Sequence, residues 1–198
     1  VEPAALDAFV RSVPPHVVVC IDEAYVELLP PAEQPDTLGY VRGGRQVVVL
    51  RTFSKTYGLA GLRLGYAVAP AACIDLLNRV RQPFNVSAMA QAAAVAALAD
   101  TDHVARTRRL VADGLAHLQS AFRELGLSYV PACANFVLVD VGAGRTVFEA
   151  LLRRGVIVRP MDAYVLPRHV RVTVGTAEEN ARCVDALRAV LREHKGIT

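Results

Sequence analysis

The sequence predicts an α/β fold: the C-terminal part of a large, mostly parallel sheet domain over residues 1–100, then a small α+β domain over residues 101–198. Three observations lead there. Residues 16–22 (HVVVCID) and 46–51 (QVVVLR) are β-branched apolar runs without alternation, which suggests strands covered on both faces. Two helical stretches follow, and beyond them strand and helix signals alternate to the end of the chain.

The chain opens on Val1-Glu2-Pro3, without methionine, and enters almost directly into the first apolar strand. That opening predicts a further portion of the large domain upstream. Residues 64–69 read as a third strand of the same kind, and the prolines at 30, 31 and 35 mark turns between the first two. Ser87 is positioned to cap an alanine-rich helix running to about Leu98. From Asp102 to Leu125 leucine and valine recur at helical spacing with arginines opposite, and Gly126 ends the run. A strand is then expected over 135–141, a helix over 145–154, and strands over 156–158 and 170–174. The last helix starts at Ala177, with Thr176 and Glu179 spaced as a capping box. Two such blocks predict a ligand cleft between them.

Composition narrows the function. With 53% hydrophobic and 21% charged residues, the chain has material for a buried core. Its net charge of +3 comes from scattered arginines, which argues against nucleic-acid binding. No apolar run reaches the roughly 20 residues that cross a bilayer, so neither membrane spanning nor export is expected, and a cytoplasmic protein is. Cys20, Cys73, Cys133 and Cys183 are too far apart for a metal motif and are expected to be reduced and buried. The five histidines, His16, His103, His117, His169 and His194, show no ligand spacing and read as structural or surface residues. Gly142-Ala143-Gly144 resembles half a dinucleotide fingerprint but has Val147 where the third glycine belongs, so no nicotinamide site is expected.

The chemistry concentrates after the first two strands. Asp22 ends the first, in Asp22-Glu23-Ala24-Tyr25, where a carboxylate at a strand's carboxyl end faces a cleft. After the second strand Thr52 and Ser54 flank Lys55, and Arg63 follows eight residues later across a glycine-rich path. A lysine amine that is buried near another cation is neutral often enough to attack a carbonyl. An arginine with hydroxyls beside it binds a phosphate dianion.

The run from Ser54-Lys55 to Gly65-Tyr66 resembles the signature of class I and II aminotransferases, the fold-type I pyridoxal-phosphate-dependent transferases. The similarity is greatest to the histidinol-phosphate aminotransferase subfamily and its aromatic aminotransferase relatives. Further strings agree in order: Asp22-Glu23-Ala24-Tyr25, Arg81-Gln82-Pro83-Phe84-Asn85-Val86, Ala134-Asn135-Phe136, Gly155 through Met161, and Arg171 through Thr176. The resemblance implies pyridoxal 5′-phosphate as cofactor and Lys55 as its Schiff-base lysine and proton shuttle. It further implies Asp22 on the pyridinium nitrogen, Tyr25 on the phenolic oxygen, and Arg63 with Ser54 or Thr52 on the phosphate. Arg171 would take the substrate carboxylate or the equivalent anionic group and Arg159 the substrate phosphate, with Tyr164 and Asn135 lining the cleft. No metal is implied.

The expected reaction moves an amino group between histidinol phosphate, or an aromatic amino acid, and 2-oxoglutarate, in a homodimer acting on small molecules. Two rival expectations stand beside it: a phospho-amino-acid decarboxylase of the same fold, and a piece that keeps the motifs without activity. The resemblance also implies that other parts of the cofactor cup, an aromatic stacked on the ring and an asparagine on its phenolic oxygen, lie upstream of the aspartate strand. Without them the sheet is expected to carry an unpaired edge and bare apolar surface.

Overall fold

The computed structural model describes residues 1–195, and side chains as far as Glu193. The expectation for His194 lies outside the described residues. The chain divides into two units, Val1–Arg106 and Thr107–Thr198.

The first unit begins with a helix, α1 (Pro3–Ser12), and not with a strand. Proline in its first turn costs no hydrogen bond, and Leu6 and Val10, one turn apart, give it an apolar face. That face packs on Val47 and Val49. The sheet holds three strands, β1 (Val19–Asp22), β2 (Val47–Thr52) and β3 (Gly65–Val68), in the order β1-β2-β3. β1 and β2 run parallel with Asp22 opposite Leu50, whereas β3 runs antiparallel to β2 with Thr52 opposite Gly65. β3 therefore departs from the parallel arrangement expected of all three apolar runs. The connection over residues 53–64 holds no full α-helix to carry the chain back to the start of the sheet, and β3 returns alongside the end of β2, with Thr52 opposite Gly65.

Coverage on both faces holds for Val47, Val48 and Val49 but fails for β1, whose residues alternate between half-buried and exposed. Val18 is 55% exposed and Cys20 is exposed as well. β1 and β3 are the edges of this sheet. A short helix, α2 (Thr37–Arg42), capped by the Asp36 side chain on the Gly39 N–H, lies between β1 and β2 in sequence. The third helix is α3 (Ala71–Val80). It is followed by α4 (Ala88–Ala99), which the Ser87 hydroxyl caps as expected, accepting from the Ala90 N–H at 3.1 Å. Ala90 and Ala94 pack on Phe53 and Leu64, which anchors the loop after β2 from below.

Helix α5 (Thr101–Glu124) runs from the first unit into the second. The second unit has a four-stranded antiparallel sheet of β4 (Tyr129–Val130), β5 (Phe136–Asp140), β6 (Arg159–Pro160) and β7 (His169–Thr173). Their order is β4-β5-β7-β6. Helices α6 (Gly144–Arg153) and α7 (Ala177–Lys195) supply the rest of a core built on Leu118, Phe122, Val137, Val139, Leu151, Val170 and Leu187. The capping box forms: the Glu179 N–H donates to the Thr176 hydroxyl at 3.3 Å and the Thr176 N–H to the Glu179 carboxylate at 2.8 Å.

One expected strand is displaced. Residues 156–158 make no ladder, and the pairing starts at Arg159. The apolar run there reflects burial of Val158 in the core, not sheet pairing. The cysteine expectation holds only in part. All four thiols are free, but Cys20 and Cys133 are exposed and Cys73 is intermediate. Cys183 alone is buried, which pushes its thiol up to about 11. Cys20 on an edge strand, Cys133 in a loop and Cys73 in the first turn of α3 are each open on one side, which leaves them in reach of water. No helix among the described residues is long and apolar enough to cross a membrane.

Candidate functional site

The first unit's site is built at the carboxyl ends of β1 and β2. Asp22 closes β1 and accepts from the Ala24 N–H at 3.0 Å, which fixes the chain's turn away from the sheet. Thr52 closes β2, and its hydroxyl accepts from the Ser54 N–H at 3.0 Å, leaving its own hydrogen to donate. The Gly58 N–H then bonds the Lys55 carbonyl at 2.9 Å and the Leu59 N–H the Phe53 carbonyl at 2.9 Å. Gly58 takes a φ of +71°, which a glycine adopts without steric cost.

His103, at the start of α5, donates from its Nε2 to the Thr56 carbonyl at 3.0 Å and ties down the peptide next to Lys55. Arg63 adopts a left-handed backbone, φ +53°, and one arm of its guanidinium donates to the Ala60 carbonyl at 2.7 Å. A non-glycine residue held there is strained, a condition that recurs at ligand-binding positions.

These turns bring Asp22, Arg51, Thr52, Ser54, Lys55 and Arg63 onto one cavity of about 380 Å³. A neighbouring hollow of about 440 Å³ shares Thr52, Ser54 and Arg63. Tyr25 enters through Lys55, whose Nζ lies 5.4 Å from the centre of the tyrosine ring. Lys55 itself is exposed, so the burial expected of it is absent in this unit. A larger hollow, about 700 Å³, runs along Arg81 to Val86, but Arg81 there is already held by Asn78 and Asn85.

Sequence reasoning missed the buried neighbour of Asp22. Glu23 is 5% exposed; its carboxylate accepts from the Thr37 hydroxyl at 2.7 Å and from the Arg51 Nε at 2.9 Å, with the Arg51 Nη2 also at 2.9 Å. Burial works to lower the Arg51 pKa, but the hydrogen bonds that it donates to Glu23 and Tyr66 outweigh it and hold the guanidinium above its ordinary value. Glu23 sits inside the quoted Asp-Glu-Ala-Tyr string, yet its partners become evident only once β1 and β2 are in register.

In the second unit Arg159 and Arg171 stand directly opposite each other on β6 and β7. Arg171 lies over the Phe136 ring at 4.8 Å, and its buried Nε has no hydrogen-bond partner among the described residues. The Arg159 Nη2 donates to the Tyr164 hydroxyl at 3.3 Å across a loop in which Val165 takes a φ of +62°. Asn135 contributes its carbonyl to the Val174 N–H at 2.8 Å. The Gly142-Ala143-Gly144 turn has a packing explanation: a Cβ on Gly144 would lie 2.5 Å from the His169 carbonyl oxygen and 2.8 Å from that of Pro167.

The family model for aminotransferase class I and II matches residues 2–187. The chain belongs to the class I and II aminotransferase family. It is 53% identical over 191 residues to histidinol-phosphate aminotransferase 1 of Nitrosococcus oceani, covering 96% of this chain and 52% of that protein. It is 54% identical over 193 residues to histidinol-phosphate aminotransferase 2 of Ralstonia nicotianae, again 96% of this chain and 52% of the relative. Among solved structures it superimposes with a TM-score of 0.88 on histidinol-phosphate aminotransferase from Sinorhizobium meliloti in complex with pyridoxal-5′-phosphate. That match has 30% identity and covers 98% of this chain and 54% of the other. The fold is thus that of the C-terminal part of a fold-type I transferase, and the chain spans about half the length of the curated relatives it matches.

Proposed function

We propose that the protein carrying this chain is a pyridoxal-phosphate-dependent histidinol-phosphate aminotransferase, exchanging an amino group between histidinol phosphate and 2-oxoglutarate. The observation that carries this reading is the set of polar groups on one cavity: a carboxylate, an amine, two guanidinium groups and two hydroxyls. That set fits pyridoxal phosphate group by group. Arg63 with the Ser54 and Thr52 hydroxyls suits its phosphate, Asp22 its pyridinium N–H, Tyr25 its phenolic oxygen and Lys55 its aldehyde carbon. When bound, the cofactor supplies an electron sink that stabilises charge developing on the substrate's α-carbon.

The chain's own residues do the rest. Asp22, by accepting from the ring nitrogen, keeps that nitrogen protonated. The Lys55 amine, as a free base, would take a proton from the substrate α-carbon and, as the ammonium, would deliver it to the cofactor's aldehyde-derived carbon. Tyr25 presents its ring to the Lys55 Nζ at 5.4 Å, which keeps the tyrosine beside the amine.

Arg159 and Arg171 support a substrate with anionic groups. Like charges directly opposite on adjacent strands destabilise a sheet, so their pairing calls for an anion between or above them. The unpartnered Arg171 Nε supports the same reading, because a buried guanidinium nitrogen without a partner gains most from a ligand. The names of the relatives at 53% and 54% identity favour histidinol phosphate over an aromatic amino acid. We further infer a homodimer working in the cytoplasm; Val80, Phe84, Met89 and Val95, each more than 70% exposed, support an associating surface in the first unit.

The test is an amino-transfer assay on the intact protein loaded with pyridoxal phosphate. Glutamate accumulates from 2-oxoglutarate when histidinol phosphate is the donor, and faster than with phenylalanine or tyrosine. Release of carbon dioxide from a phospho-amino acid without glutamate formation would contradict it.

A further inference from the structure

Asp22 and Glu23 are adjacent acids with opposite fates. Asp22 is exposed on the cavity, while Glu23 is buried and does not line it. Successive side chains of an extended chain point to opposite faces, so a shift of one residue would exchange the two carboxylates. The register is closed from three sides. Asp22 pairs with Leu50, and the Glu23 N–H bonds the Leu50 carbonyl at 2.9 Å. Arg51, the next residue on β2, forks onto Glu23, and Thr37, at the start of α2, donates to the other carboxylate oxygen. Arg51 is itself on the cavity wall, between Asp22 on one strand and Thr52 on the other.

We propose that Glu23, Arg51 and Thr37 form a positioning unit that locks the ends of β1 and β2, so that Asp22 and the Thr52–Ser54 hydroxyls face one ligand at once. It also leaves Asp22 as the carboxylate free to meet a cationic ring. Glu23 spends its charge on Arg51, and the Arg51 charge, so engaged, does not draw Asp22 away from the cavity. Glu23 and Thr37 do not line the cavity, and the unit acts through Asp22 and Thr52. This inference rests on the proposal of a pyridoxal-phosphate site.

The experiment titrates pyridoxal phosphate into the cofactor-free intact protein. It follows the visible band, its pH profile, and the melting temperature without cofactor. Wild type is compared with Glu23→Gln, Arg51→Lys and a triple variant, Glu23→Leu with Thr37→Val and Arg51→Met. Replacing a buried ionic cluster by apolar groups of similar size commonly preserves stability, so the triple variant is expected to melt near wild type. Its Kd for pyridoxal phosphate is nevertheless expected to rise by about ten- to a hundredfold, the size of effect that outer-shell partners have on bound metals. The pH midpoint of its band moves too. Arg51→Lys keeps the charge but loses the fork, and is expected to fold and to bind about tenfold more weakly.

Wild-type affinity and an unchanged pH profile in Arg51→Lys and Glu23→Gln would overturn the positioning role while leaving the cofactor site standing. The same holds for a folded triple variant that binds normally. Absence of any lasting band in wild type would overturn both.

Discussion

Arg159 on β6 and Arg171 on β7 face each other as register partners, two like charges on one face of an antiparallel pair. Such a pair works against the sheet by about 0.2–1 kcal/mol, so stability and function pull in opposite directions here. Arg159→Gln should leave the fold as stable or slightly more so, by up to about 1 kcal/mol, while raising KM for a phosphate-bearing substrate more than it lowers kcat. Thermal melting and steady-state kinetics on the same preparation check this. A variant that loses stability without a change in KM would show that Arg159 serves the sheet only.

The 5.4 Å approach of the Lys55 Nζ to the Tyr25 ring separates two contributions of the tyrosine. Tyr25→Phe retains the ring face and removes the hydroxyl. Its expected effect is a fall in kcat of about ten- to a hundredfold, with a pyridoxal-phosphate band still formed but displaced in wavelength or pH midpoint. A Tyr25→Ala variant should lose more, since ring and hydroxyl go together. Equal behaviour of the two would remove the ring from the account.

Gly144 is confined by backbone, with the His169 and Pro167 carbonyl oxygens 2.5 and 2.8 Å from where a Cβ would sit. Carbonyls of the main chain cannot swing aside as a side chain does. Gly144→Ala should therefore destabilise the protein by about 1–3 kcal/mol, despite alanine's better helix propensity. Denaturant unfolding followed by far-ultraviolet circular dichroism reads this out. Since the turn is built for packing, affinity for a nicotinamide dinucleotide should be absent in both variant and wild type.

Asp140 offers a pH-dependent check. Partial burial works to raise its pKa, but the Gly142 N–H at 2.8 Å and the Arg168 side chain at 3.0 Å prevail and hold it below 3.8. A carboxyl with a depressed folded pKa contributes stability that is complete above the unfolded value and is lost as pH falls through the folded one. Asp140→Asn should thus melt below wild type at pH 7, and the difference should shrink as the pH is lowered past 3.8. Melting curves from pH 7 to pH 3 decide it; a constant difference would assign the effect to shape, not charge.

What was legible in the sequence was local. Ser87 and the Thr176-Glu179 box announce helix starts because each cap bonds within a few residues of itself. The valines of β2 announce a buried strand because both of its faces are filled. α1 and α3 are amphipathic over only ten residues each, too short for their period to stand out beside neighbouring prolines. β6 was misplaced because Val156 and Val158 carry the apolar signal while Arg159 and Pro160 carry the pairing. Glu23 with Arg51, and Arg159 opposite Arg171, are relations between strands. No spacing along one strand encodes them, so the motif strings named the residues without naming their partners.

The most direct test of the central claim is a visible spectrum of the intact protein after incubation with pyridoxal phosphate and dialysis, beside Lys55→Ala treated identically. The account predicts a yellow species that survives dialysis in wild type, bleaches on addition of glutamate, and is missing in the variant. Identical spectra from the two would contradict Lys55 as the residue that holds the cofactor.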